Sequence, residues 1–190
     1  MPLRPTYPLQ TDRLQLQPLG ESDLSALLSY HSSPVVHKYL PMAPMDSEAL
    51  LARLKDGPWS SATLEKEGDA LVLGVVLTDA RQLVGEVMLR WLSEKDRCGE
   101  LGYVFHPDHG GRGYATESAQ AVLRLAFEEF ELHRVIARIN ALNAPSIELA
   151  QRLGMRKEAH LVESHWGDDG WSDEVDFAIL SSEWSGTGAV

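Results

Sequence analysis

The chain has 190 residues, with 17 Lys and Arg against 28 Asp and Glu, a formal net charge of −11 and 44% hydrophobic residues. That length and apolar content suit one domain with a sizeable core. No apolar run approaches the roughly 20 residues needed to cross a bilayer, and the acidic balance argues against duplex nucleic acid as a partner.

In chain order, residues 11–19 alternate polar and apolar side chains and predict a first strand, ended by Pro18. Glu21, Ser22 and Asp23 offer caps for a helix carrying Leu24, Leu27, Leu28 and Tyr30, broken at Ser33-Pro34. A second helix opens at Asp46-Ser47-Glu48, carries Leu50, Leu51 and Leu54, and closes near Asp56-Gly57-Pro58. Residues 59–69 form a loop able to line a groove. Residues 70–77, 83–91 and 99–106 predict three consecutive strands in an antiparallel meander. A helix over 115–131 follows, with Ala119, Val122 and Ala126 beside Leu123, Phe127 and Phe130 as its apolar face. Residues 133–139 predict a strand parallel to 99–106, because a helix lies between them. A short helix over 146–152 ends at Leu153-Gly154. Strands 157–166 and 171–180 flank a hairpin turn at Asp169-Gly170, and residues 185–190 are a frayed tail. The expected fold is a single α/β (α+β) domain over residues 1–190, with its core at about 9–184. Its sheet is mixed and mostly antiparallel, holds a central splayed parallel strand pair, and is flanked by helices.

The sharpest motif lies between strand 99–106 and helix 115–131. It is His109-Gly110-Gly111-Arg112-Gly113-Tyr114-Ala115-Thr116-Glu117. Glycines let the backbone approach an anion closely. The first helical turn adds unpaired N–H groups and a positive dipole end, and Arg112 adds a fixed charge. Strand, glycine loop and helix in that order make a site for a pyrophosphate. Two parallel strands, each followed by a helix, part at their C-terminal ends, and ligands bind in such a crevice. Here those ends lead to Gly111-Arg112-Gly113 and to Asn140-Ala141-Leu142-Asn143.

Charge is uneven along the chain. Residues 161–190 carry seven acids and no Lys or Arg, whereas residues 106–160 are balanced. A cationic partner suits the acidic end, and solubility alone would also explain it. His106 and His109 beside Asp108 are too few to predict a metal. The lone Cys98 excludes an internal disulfide and a cysteine-based zinc site. The N-terminus lacks the apolar core of a secretory signal, so a cytoplasmic location is expected.

The order strand, Gly-Arg-Gly-Tyr-Ala-Thr-Glu, His-Arg-Val-Ile-Ala-Arg-Ile-Asn, Asn-Ala-Pro-Ser, Arg-Leu-Gly-Met resembles the GCN5-related N-acetyltransferases. More narrowly it resembles the ribosomal-protein N-terminal acetyltransferase branch of RimJ/RimL type, over about residues 9–184. The resemblance implies acetyl-CoA as cosubstrate and no metal. It implies that Tyr103, Val104 and Phe105 offer backbone groups to the pantetheine arm. Gly111, Arg112, Gly113, Tyr114, Ala115 and Thr116 would wrap the pyrophosphate, and Asn143 would bond the arm. Glu100 would accept the proton of the attacking amine, directly or through water, and Ser146 would protonate the leaving thiolate. A backbone N–H from Val104 or nearby would polarise the carbonyl. The acceptor would be a primary amine, on a protein N-terminus or a small cationic molecule, with neither nucleic acid nor membrane as partner. Exposed strand edges would allow a homodimer. Gly110 stands where the family more often has Gln, Arg or Trp.

Each residue also has a plainer use. Glu100 suits an ion pair with an arginine, Ser146 a helix cap, Asn143 a turn, and Glu117 the helix dipole. Trp166 and Trp171, flanking the hairpin turn, are candidates to line an acceptor pocket. A non-catalytic acyl-CoA-binding module of the same fold is the alternative function.

Overall fold

The computed structural model describes residues 2–57, 59–167 and 170–186. Met1, Pro58, Asp168, Asp169 and residues 187–190 lie outside the described residues, and with them part of the hairpin turn expected at Asp169-Gly170 and of the tail expected over 185–190. The elements are β1 (Leu9–Gln10), β2 (Leu14–Pro18), α1 (Leu24–His31), α2 (Pro34–His37), α3 (Ser47–Lys55), β3 (Ala70–Leu77), β4 (Leu83–Ser93) and β5 (Cys98–Phe105). Then come α4 (Tyr114–Arg124), β6 (Arg134–Asn140), α5 (Ala144–Arg152), β7 (Arg156–Gly167) and β8 (Gly170–Leu180). The strands form one sheet in the order β1-β2-β3-β4-β5-β6-β8-β7. Every neighbouring pair is antiparallel except β5 and β6. The expected mixed sheet with one central parallel pair is therefore the architecture.

Helices cover both faces, which is why β3 reads Ala-Leu-Val-Leu-Gly-Val-Val-Leu without polar alternation. On one face Leu73, Val87, Leu89 and Leu101 pack with Ala119, Val122 and Leu123 of α4. On the other, Val72, Met88 and Val104 pack with Leu27, Leu50 and Leu54 from α1 and α3, and with Trp59. Successive residues of β5 thus address different halves of the core.

Four local expectations are refined. The strand expected over 11–19 is β2 and begins at Leu14, because Thr11 closes a turn onto the Leu14 backbone instead of joining a ladder; a short β1 precedes it. The helix expected over 115–131 is α-helical only to Arg124 and continues as a wider turn over Leu125–Glu129. Asp46 caps α3 as its side chain accepts the Ala49 N–H at 2.9 Å. Glu117 does more than complement a helix dipole. Its carboxylate accepts from Thr11 Oγ1 at 2.6 Å, the Arg13 N–H at 2.9 Å and Arg13 Nε at 2.7 Å. This latch ties the segment before β2 to the first turn of α4.

Burial opposes ionisation of Glu117, but the bonds from Thr11 and from the backbone and guanidinium of Arg13 together outweigh it. They hold the carboxyl below its ordinary value of 4.5. A lowered carboxyl contributes stability above its unfolded value and loses it as pH falls through the folded value. Glu117→Gln is expected to cost about 1–2 kcal/mol at neutral pH, reduced from a fully buried case by partial solvent exposure. In denaturant titrations the gap between the two proteins should close on acidification below pH 4.5; a gap that stays constant would remove the latch.

Candidate active site

β5 and β6 pair over only three positions, Cys98 with Arg134, Gly99 with Val135 and Glu100 with Ile136. Beyond Glu100 the two strands part. β5 stays paired to β4 as far as Phe105, and β6 stays paired to β8 as far as Asn140. The edges they turn toward each other, residues 101–105 and 137–140, have no ladder partner across the gap. A cavity of ≈100 Å³ occupies this opening, lined among others by Tyr39, Tyr103, Arg138, Asn140, Asn143 and Ser146.

Glu100 sits at the apex, in the last parallel pair. Its side chain is only 14% exposed, and its Oε2 lies 3.9 Å from Arg90 Nη1. It shares its sheet face with Val104, the face toward α1–α3, whereas Leu101 packs with α4. The arginine partner foreseen as the plain reading is thus present, at a distance that leaves the carboxylate free to accept another donor.

The cap role that the sequence suggested for Ser146 belongs to Asn143. Asn143 is the N-cap of α5, its Oδ1 accepting the Ser146 N–H at 3.3 Å. Ser146 lies inside the first turn, so it is not the cap. The Tyr103 hydroxyl reaches across from β5 and donates to the Ser146 carbonyl at 3.3 Å. Burial pushes the Tyr103 phenol up, which keeps it a donor. A side-chain interaction with Ser146 opposes that rise, and Ser146 lines the cavity.

β5 leads through one turn of 3-10 helix, Pro107–His109, to the glycine loop. Gly111 and Gly113 both hold positive φ, +72° and +81°, in the region that side chains disfavour. Gly113 is the N-cap of α4 and has no side chain to occupy the helix start. The N–H groups of the first turn therefore face outward without a capping oxygen. Arg13 packs over the Tyr114 ring at 4.9 Å and donates to the Arg112 carbonyl at 3.0 Å, bringing a second cation to the loop. Sequence reasoning missed Arg13, because nothing local connects it with a loop a hundred residues away.

Several candidates fall elsewhere. Trp166 and Trp171 meet edge to face across β7 and β8 with ring centroids 5.1 Å apart, 64% and 59% exposed, and neither lines the cavity. The His106 ring accepts the Asp108 N–H at 3.2 Å. Burial, then Arg112 and His106, pushes His109 down. Among the described residues no group of three or more His, Cys, Asp or Glu is placed to hold a metal. Burial pushes the Cys98 thiol up, away from a nucleophile's range. Among the described residues no helix is long and apolar enough to cross a membrane.

Residues 13–156 match the family model described as Acetyltransferase (GNAT) domain. The uncharacterized N-acetyltransferase YnaD of Bacillus subtilis is 32% identical over 178 residues, covering 93% of this chain and 99% of that protein. The [ribosomal protein uS5]-alanine N-acetyltransferase of Escherichia coli is 24% identical, covering 95% and 94%. The crystal structure of an acetyltransferase (GNAT family) from Bacillus anthracis superposes with a TM-score of 0.82 at 28% identity, covering 96% of this chain and all of that one. With a splayed strand pair, a glycine loop at a helix start and a family match over most of its length, the chain belongs to the GNAT family of N-acetyltransferases.

Proposed function

We propose that this protein transfers an acetyl group from acetyl-CoA directly to a primary amine that carries positive charge nearby, on a protein N-terminus or a small polyamine. The observation that carries this reading is the opening between β5 and β6, bounded at one end by Glu100 and leading at the other to the glycine loop. Its shape fits the group. The free edges of residues 101–105 and 137–140 suit an extended amide-bearing arm. The side-chain-free start of α4 suits a pyrophosphate. Bound acetyl-CoA would supply a thioester carbonyl as electrophile.

In this reading Tyr103, Val104 and Phe105 hold the arm by their backbone, with Asn143 opposite. Gly111, Arg112, Gly113, Tyr114, Ala115 and Thr116 hold the phosphates. Glu100 takes a proton from the arriving ammonium, directly or through water, so that a neutral amine attacks. A backbone N–H of β5 near Val104 faces the oxygen on which charge develops. The C–N bond forms, the C–S bond breaks, and the Ser146 hydroxyl gives its proton to the thiolate while the proton leaving the amide nitrogen restores the hydroxyl. The location of Ser146 on a pinned helix turn that lines the cavity supports that role.

Acidic residues favour a cationic acceptor. Glu174 pairs in register with Asn140, and Asp176 with Arg138, so the acidic strand β8 runs beside the mouth of the cavity. The relative named for acting on an alanine of ribosomal protein uS5 makes a protein N-terminus one concrete acceptor to test.

The direct test is thiol release from acetyl-CoA with a panel of amines, including alanine-starting peptides and polyamines. Release with one class is expected, and tight acetyl-CoA binding without release from any amine would favour the binding-module alternative. Glu100→Gln should lower kcat/KM by about 10²-fold or more, and Ser146→Ala by about tenfold, with acetyl-CoA affinity nearly unchanged. Full activity in both variants would remove those roles. Gly113→Val places a branched side chain at φ +81° on the helix start. Calorimetry should show acetyl-CoA binding weakened by roughly tenfold or more, from strain and from blocked N–H groups. Unchanged binding would take the loop out of the site.

A further inference from the structure

Beneath α1 and α2, on the sheet face opposite α4, lie four buried polar side chains that the acetyl-transfer chemistry does not use. They are Tyr30, His31, His37 and Glu86, exposed by 1%, 1%, 6% and 4%. Glu86 is on β4, in register with Val104. Tyr30 and His31 end α1, and His37 ends α2. The Tyr30 hydroxyl donates to Glu86 Oε2. Burial, then the charge of Glu86, pushes that phenol far up, so it remains a donor.

The rest of the cluster is a chain of three short gaps. Glu86 Oε1 lies 2.7 Å from His31 Nε2. His31 Nδ1 lies 3.2 Å from His37 Nε2. His37 Nδ1 lies 2.9 Å from the Met42 carbonyl oxygen. That oxygen can only accept, so His37 Nδ1 carries a proton. Each remaining gap needs one proton between its two atoms. Three protons shared by one carboxyl and two imidazoles leave the set with no net charge, whichever side of each gap a proton takes. One proton fewer sets two lone pairs against each other; one more sets two donors together. Only one proton count satisfies every buried atom, and at that count no net charge is buried.

The same histidines close a loop. The His37 carbonyl accepts the Leu40 N–H at 3.0 Å, and the His31 carbonyl accepts the Met45 N–H at 2.8 Å. With the His37 to Met42 bond, these pin residues 38–45 at both ends. Tyr39 lies in that loop and lines the cavity between β5 and β6. The Trp59 ring covers His31 at 5.2 Å.

We infer that Tyr30, His31, His37 and Glu86 are positioning residues, a charge-neutral clamp that fixes the 38–45 loop and thereby sets Tyr39 as the wall of the cavity on its α1–α3 side. That this wall meets the acceptor amine rests on the acetyl-transfer reading; the clamp itself does not.

Glu86→Gln is the informative variant. Its amide nitrogen can donate to His31 Nε2 while its amide oxygen accepts from Tyr30. Both rings then stay neutral with protons on Nδ1, and every gap remains filled. Glu86→Ala leaves Tyr30 and His31 without their partner, and His37→Leu releases Met42 while sparing Glu86. The experiment is NMR of protein labelled with ring-¹³C tyrosine, the Tyr39 signal being assigned with Tyr39→Phe. Wild type and Glu86→Gln should share one Tyr39 position, whereas His37→Leu and Glu86→Ala should shift or broaden it. The Tyr114 signal and the acetyl-CoA Kd should stay within about twofold in all. With an accepted amine, His37→Leu should raise the KM for that amine about tenfold and change kcat less. An unmoved Tyr39 in His37→Leu would overturn the inference, as would Glu86→Gln behaving like Glu86→Ala. So would parallel loss of the Tyr114 signal and of acetyl-CoA binding, which marks general unfolding. Absence of thiol release by the wild type would sink the acetyl-transfer reading while leaving the tyrosine spectra to judge the clamp.

Discussion

The interaction on which this molecule turns is one that stops early. β5 and β6 share three residue pairs and then diverge, while each stays bonded to its outer neighbour. A sheet interrupted in this way keeps its stiffness on both sides and presents two unfilled backbone edges between them. Buried backbone groups require partners, so the gap is chemically predisposed to an extended, amide-bearing ligand. The twist of the strands and the crossover through α4 place the glycine loop at one end of that gap. They leave Glu100 at the other.

The two faces of the sheet divide the labour. On the α4 side, apolar packing is continuous and the latch from Thr11 and Arg13 to Glu117 secures the helix whose start is the proposed pyrophosphate site. On the α1–α3 side the core is smaller and contains the buried polar cluster around Glu86. Residues of β5 alternate between these faces. One strand therefore supplies both a backbone edge to the opening and side chains to either half of the core. A change that disturbs one face need not disturb the other.

Much of this was legible in the chain. Apolar runs bounded by turn residues marked the meander, and the glycine loop identified the helix start, because both signals are local. The parallel placement of β6 followed from the helix between the strands. What stayed hidden depends on contacts across the chain. Glu86 meets Tyr30 and His31 at separations of 56 and 55 residues, with no periodic trace of the pairing. Tyr39 reaches the cavity from a loop whose course depends on that cluster. The cap role of Asn143 had a readable clue in Pro145. Proline is tolerated in the first turn of a helix, which puts the cap before it and not after.

The short seam between β5 and β6 joins two halves of the sheet, one running from β1 to β5 and the other comprising β6, β8 and β7. A ligand lying along both free edges acts as the rungs that the seam lacks. Its binding free energy is then added to the cohesion of the folded state, by mass action. On the proposed reading, resistance to heat and to proteolysis would become a readout of ligand supply, coupling the lifetime of the protein to the concentration of the molecule that fills its gap.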